Sequence, residues 1–213
     1  GTSLHAAMIG RHYFEQFAGV PAETDNGSEF RYRDPVLGPE TLVVSVSQSG
    51  ETVDVLEAMA IAGAKGALQV TICNTEGAQT TRVADGTVYT RAGLERGVAS
   101  TKCFTASIAA LYVLALGIGV ARGRIDREHL QGRMNDLARR PEAVARALRD
   151  APACQQAARR FATTGHILFL GRGLAFPAAM EGALKMKEIS YIHAEGYAAG
   201  EMKHGPIALI EPD

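Results

Sequence analysis

The chain has 213 residues, 46% hydrophobic and 21% charged, with a net charge of −1. That composition describes a globular α/β chain, long enough for one large unit or two small ones. A near-neutral balance gives no electrostatic case for nucleic acid or for an acidic membrane surface.

The opening residues, Gly1-Thr2-Ser3-Leu4-His5, read as the middle of a chain rather than as a leader. Residues 3–18 carry Leu4, Ala7, Met8, Phe14 and Phe17 at near-helical spacing, and Gly19 ends the pattern. Pro21 to Thr24 is expected to be a strand, with a polar turn at Asp25-Asn26-Gly27-Ser28 and a short helix over Glu29 to Tyr32. The run Thr41-Leu42-Val43-Val44-Ser45-Val46 predicts a short buried strand. It stops at Ser47-Gln48-Ser49-Gly50-Glu51-Thr52, after which Val53, Leu56, Ala60 and Ala64 mark a helix. A turn of hydroxyls and glycine at a helix start can hold a phosphate through backbone N–H groups, without a lysine. The rival reading is an ordinary helix start with Ser49 as N-cap and Thr52 in the first turn.

A second strand is expected at Leu68 to Cys73, a short helix near 80–84 and a third strand at Thr87 to Thr90. Strands alternating with helices at these lengths imply a parallel sheet covered on both faces, with ligands at the carboxyl ends of its strands. Gly93 to Lys102 connects the third strand to a long helix, so it emerges on the same sheet edge; Ser100 or Thr101 can cap that helix. The apolar run Ile108 to Ala121 is rich in Ala and Gly and short of the ~20 residues that span a bilayer, which favours a core helix. Residues 125–165 read as two or three amphipathic helices jointed at Pro141 and Pro152, their arginines forming a solvated face. Cys73, Cys103 and Cys154 are widely spaced with no CxxC; neither a disulfide framework nor a zinc site is indicated, and a reducing cytoplasm fits.

A second strand-turn-helix begins at His166-Ile167-Leu168-Phe169-Leu170 with Gly171-Arg172-Gly173 behind it. Displaced so that Met8 falls on Met180, the chain also places Ala7 on Ala179 and Gly10 on Gly182. Thr41 then falls on the last residue, Asp213, so a second copy would stop where its phosphate strand should begin. The first copy likewise lacks the strand that His166 to Leu170 supplies in the second, and both ends look cut. The expected division is a first subdomain over 1–124, a helical connection over 125–165 and the start of a second subdomain over 166–213.

From about Pro177 to Ser190 a helix carries Glu181, Lys185, Lys187 and Glu188. Glu181 with Lys185 is an i,i+4 pair, and Lys185 with Glu188 shares the same face at i,i+3. Routine ion pairs on a solvated helix have this spacing too. The sequel Tyr191, His193, Glu195, Tyr197, Glu201, Lys203 and His204, loosened by Gly196, Gly200 and Gly205, adds the parts needed for proton transfer beside a carbonyl. No pair has the HExxH spacing of a metal site, and nothing calls for a cofactor. His5, His12, His129 and His166 read as structural or exposed.

Taken together, Ser47 to Thr52, Gly97-Val98-Ala99-Ser100-Thr101-Lys102, Glu181-Gly182-Ala183-Leu184-Lys185 and Lys203-His204-Gly205-Pro206 resemble one family. They are similar to the isomerase domain of the glutamine–fructose-6-phosphate transaminase (glucosamine-6-phosphate synthase) family, a sugar-isomerase (SIS) domain. The resemblance runs in order along essentially the whole chain. The first motif marks the broad SIS group, whereas Ser28 to Arg33 and Lys185 to Pro206 are specific to the synthases. It implies a three-layer α/β/α sandwich with a mostly parallel, flavodoxin-like sheet, duplicated in tandem with the second copy truncated.

By that resemblance Ser47, Gln48, Ser49 and Thr52 bind the phosphate of fructose 6-phosphate or glucosamine 6-phosphate, and Ser3, Val98 and Ser100 contact the sugar, Val98 through its backbone. Glu188 is the base that moves a proton between C1 and C2, Lys185 orients the open-chain substrate or assists the transfer, and His204 opens the ring at the neighbouring subunit's site. A homodimer and a glutaminase domain in the parent protein are implied, with no nucleic acid or membrane partner. The family's glutaminase domain and its tail lysine, which forms a Schiff base with the ketose, have no counterpart in this sequence. Other readings are a stand-alone SIS isomerase or deaminase of amino-sugar phosphates, and a non-catalytic module that senses a sugar phosphate.

Overall fold

The computed structural model describes residues 1–210; the last three positions, among them Asp213 where the repeat places the counterpart of Thr41, lie outside them. The chain divides into two compact units, Gly1–Ala115 and Leu116–Asp213.

In the first unit, strands β1 (Leu42–Ser47), β2 (Leu68–Cys73) and β3 (Gly86–Tyr89) form a parallel sheet in the order β1-β2-β3. Register pairs Leu42 with Leu68 and Ser47 with Cys73, and Cys73 in turn with Tyr89. All three strands therefore end at one level, and the turns that follow them share a sheet edge. Parallel neighbours need a crossover, supplied by helix α3 (Val53–Ala64), which packs on both β1 and β2. The short helix α4 (Gln79–Val83) links β2 to β3. Met59 of α3 and Ile72 of β2 are 2% and 0% exposed, each burial worth about 2 kcal/mol.

Helix α1 (Thr2–Tyr13) runs into a π-helical turn over Phe14–Ala18 that buries Phe14, Phe17 and Ala18 before Gly19 stops it in the left-handed region. The expected strand at Pro21 to Thr24 is not formed; the segment is irregular and largely exposed. Pro21 has no N–H to give a ladder, and the four residues offer no apolar face to bury. The short helix lies slightly earlier than expected, as α2 (Gly27–Phe30), packed on α3.

Helix α5 (Lys102–Ala121) has 20 residues and is long and apolar enough to cross a membrane by length and composition. It is longer than the apolar run suggested, and 33% of its most apolar stretch is buried, on the face that packs in the first unit. Tyr112 meets Tyr13 and Phe17 edge-on at 5.2 and 5.3 Å, and Leu111, 2% exposed, fills the space above Gly10 of α1.

In the second unit, α6 (Arg127–Ala138), α7 (Arg140–Ala147) and α8 (Ala151–Arg160) bury no residue, as a solvated arginine-rich face requires. Asp126 caps α6 by accepting from the His129 N–H at 2.8 Å. Strand β4 (His166–Gly171), helix α9 (Ala175–Ser190) and strand β5 (His193–Ala198) then make a parallel βαβ unit. β5 was not expected from the sequence, because its inward positions are Ala194, Gly196 and Ala198 rather than branched apolar residues. Small residues are needed there: a Cβ on Gly196 would lie 2.6 Å from the Met180 Cα of α9. Two 3-10 turns follow, Ala199–His204 and Pro206–Leu209.

Candidate active site

The sheet edge of the first unit holds the turn from Ser47 to Thr52. Ser47, 5% exposed, turns its hydroxyl back to accept from the Gly50 N–H at 2.9 Å. The Gln48 carbonyl accepts from the Asn74 N–H at 3.2 Å and the Thr75 hydroxyl at 3.4 Å, tying the turn to the end of β2. The Glu51 carboxylate accepts from the Gln79 N–H at 2.9 Å, so it caps α4. These bonds fix the turn from both sides and leave its mouth to Gln48, Ser49 and Thr52.

The N-cap of α3 is Thr52, in extended conformation, and no described side chain caps the first turn. The rival reading of Ser49 as N-cap is therefore corrected: its hydroxyl accepts from the Glu51 N–H at 3.2 Å, two residues short of the helix. The helix start keeps its positive end and its unsatisfied N–H groups, which is what an anion needs. Asp54 in that first turn would oppose an anion, but Arg31 holds it at 3.0 Å.

The next edge segment is the irregular chain from Thr90 to Thr101. Asn74, directly after β2, holds its first half: Oδ1 accepts from the Ala92 N–H at 2.8 Å and the Thr90 hydroxyl at 2.9 Å, while Nδ2 donates to the Gly93 carbonyl at 2.8 Å. Val98 at its tip is 96% exposed, and Ser100 is half-buried at the approach to α5. Ser3 sits in the first turn of α1, half-buried.

In the second unit, α9 presents a row of charge. Lys185 Nζ lies 2.6 Å from a buried Glu188 oxygen and 3.4 Å from Glu181, whose carboxylate is itself buried. The three side chains are 18%, 28% and 8% exposed, so this is a partly desolvated row and not the solvated pair that spacing alone allows. An ammonium between two carboxylates there is held by Coulomb attraction that solvent screens only in part. His204 ends the first 3-10 turn after β5 and is exposed. On the outer face of β5, Tyr197 donates to Glu195, which raises the phenol's pKa.

Two sets of expected site residues are thus assembled locally: Ser47, Gln48, Ser49 and Thr52 on one turn, and Lys185 with Glu188 on one helix face. Ser3, Val98, Ser100 and His204 stand on three other segments. Sequence reasoning left out Asn74, whose only signal was a polar residue closing a strand. It saw Glu181 as an ion-pair partner without placing it in the site.

A model of the SIS domain matches residues 1–117 and 160–213. The chain belongs to the SIS domain family. Within that family it is 49% identical over 211 residues to the glutamine–fructose-6-phosphate aminotransferase (isomerizing) of Mycobacterium tuberculosis H37Rv, covering 99% of this chain and 34% of the relative. The enzyme of that name from Chlorobaculum tepidum is 48% identical over 213 residues, again 34% of its length. Among solved structures, the C-terminal domain of glucosamine-fructose-6-phosphate aminotransferase from Francisella tularensis superposes with a TM-score of 0.96 at 41% identity. That match covers 99% of this chain and 60% of the other. The chain thus spans about a third of the length of the curated relatives it matches.

Proposed function

We propose that this SIS chain is the sugar-isomerising part of a glucosamine-6-phosphate synthase, which makes glucosamine 6-phosphate from fructose 6-phosphate and glutamine-derived ammonia. The observation that carries the reading is the partly desolvated Glu181–Lys185–Glu188 row, with Lys185 2.6 Å from Glu188. A module that only senses a sugar phosphate has no use for it. The Ser47–Thr52 turn holds the phosphate, and Ser3, Val98 and Ser100 line the sugar. His204 opens the ring. Ammonia condenses with the C2 carbonyl with loss of water, giving a C2 imine. Glu188 takes a proton from C1 and a proton is returned to C2, while the C1 hydroxyl gives up its proton and the nitrogen gains one, leaving a C1 aldehyde and a C2 amine. Lys185, 2.6 Å from Glu188, orients it for that transfer. Tandem SIS subdomains over 1–124 and 166–213 joined by 125–165, a homodimer, a glutaminase domain in the full-length protein and a cytoplasmic setting complete the proposal.

Two measurements test it. The full-length protein is expected to form glucosamine 6-phosphate from fructose 6-phosphate and glutamine, and this 213-residue chain alone is not. Glutamine-dependent product from the isolated chain, or none from the full-length protein, would refute the assignment. In the chain itself, calorimetry with inorganic phosphate reads the turn. Replacing Ser49 and Thr52 together with Ala is expected to weaken phosphate at least about tenfold, since one hydrogen bond to a charged group contributes about 1.5–3 kcal/mol. Unchanged affinity would move the phosphate elsewhere.

A further inference from the structure

The Thr90–Thr101 segment is anchored at its base and open at its tip, and the anchors are not among the residues assigned to substrate. On one side Asn74 holds Thr90, Ala92 and Gly93. On the other side the chain doubles back onto the start of α5. Lys102 Nζ donates to the Leu94 carbonyl at 2.6 Å, and the Glu95 carboxylate accepts from the Cys103 N–H at 3.2 Å. The Cys103 thiol, beside that carboxylate, is 3% exposed. Glu95 is thus the N-terminal cap of a 20-residue helix, supplied from eight positions upstream rather than from Ser100 or Thr101. The residues closed off by this contact are Arg96 to Thr101, the stretch that carries Val98 and Ser100.

We propose that Glu95 is a positioning residue: by capping α5 through the Cys103 N–H, its carboxylate latches the 93–102 loop so that Val98 and Ser100 face the sugar. The inference rests on the sugar-phosphate reading of the site but goes beyond it, since Glu95 touches no substrate. The geometry explains three features at once. A glutamate stands in an exposed loop with its carboxylate turned inward, a free thiol is covered at a helix start, and the two hydroxyl residues nearest that start are left uncommitted as caps. Burial, and then the neighbouring Glu95 carboxylate, push the Cys103 thiol up to about 11, so at neutral pH it stays protonated. Cys103 is therefore a reporter for the latch: an open loop uncovers it and removes the carboxylate that suppresses its ionisation.

The test uses the chain with Cys154, the exposed thiol, changed to Ser. Iodoacetamide labelling at Cys103, read by peptide mass spectrometry, is compared for Glu95, E95Q and E95A. Binding of fructose 6-phosphate and of inorganic phosphate is measured on the same samples. The expected result is labelling of Cys103 at least tenfold faster in E95A, with E95Q between. Fructose 6-phosphate should weaken at least fivefold, while inorganic phosphate at the Ser47–Thr52 turn changes less than twofold. A merely structural cap would move both ligands together with the melting temperature, and that outcome overturns the proposal. So does labelling of Cys103 in E95A and E95Q at the parent rate. If the parent chain binds neither ligand, it is the sugar-phosphate reading of the turn that falls, and the labelling rates still decide whether Glu95 latches the loop.

Discussion

Glu188→Gln in the full-length protein is expected to slow proton movement between C1 and C2 of fructose 6-phosphate by about 10²–10⁴-fold, the usual contribution of a positioned acid–base group. Affinity for the sugar phosphate should stay within about threefold, because the Ser47–Thr52 turn and the 93–102 loop are untouched. The substitution keeps the volume of the side chain and removes its charge, and with it the ability to take a proton. It also spares the fold: Lys185 loses one carboxylate at 2.6 Å but keeps Glu181 at 3.4 Å, so no ammonium is left buried without a counter-charge. The readout is exchange of the C1 proton with deuterated solvent, followed by NMR, beside a calorimetric titration with fructose 6-phosphate. Exchange at the parent rate would remove Glu188 from the chemistry. Loss of binding with unchanged exchange per bound sugar would make it a binding residue.

The parts of this design that were legible in the sequence are those in which one periodicity decides the outcome. β1 and β2 are continuous apolar runs ended by polar turns, and the i,i+3 and i,i+4 spacing put Glu181, Lys185 and Glu188 on one face of α9. What spacing could not give was their environment. Solvated and desolvated rows have the same pattern, and only the packed helix shows that Glu181 is buried. β5 was hidden because its inward side chains are as small as α9 requires, which erases the apolar alternation that marks a strand. Choosing between Ser49 and Thr52 as the helix start was equally beyond the sequence, since both are good caps at plausible positions and the left-handed Gly50 decides where the chain turns. Glu95 carried no local signal, because its partner lies eight residues on and is a backbone N–H.

Gly50→Ala is expected to destabilise the first unit by about 3 kcal/mol or more and to abolish phosphate binding in the fraction that still folds. Two penalties combine. Gly50 has φ +69, a region that costs an L-residue about 1–2 kcal/mol. A Cβ there would also lie 2.5 Å from the Ala78 Cβ, 2.6 Å from the Thr80 hydroxyl and 2.8 Å from the Cys73 sulfur. None of these is the loose end of a flexible side chain: Cys73 closes β2, and Ala78 and Thr80 begin α4. The turn cannot retreat freely either, because Gly50 donates to Ser47 at 2.9 Å and its carbonyl accepts from the Thr80 N–H at 3.1 Å. Relief has to come from the mouth of the turn, where Ser49 and Thr52 are proposed to meet the phosphate. Two controls separate the causes. Gly66 has φ +79 with open space around it, so Gly66→Ala should show the conformational cost alone, about 1 kcal/mol. Gly38 has neither a positive φ nor any neighbour within 4 Å, and Gly38→Ala should be close to neutral. Urea titrations of the three variants give the ranking, and calorimetry with inorganic phosphate gives the functional arm. A Gly50→Ala protein no less stable than Gly66→Ala, or one that binds phosphate like the parent, would show that close packing of the Ser47–Thr52 turn against Cys73, Ala78 and Thr80 does not shape the anion site.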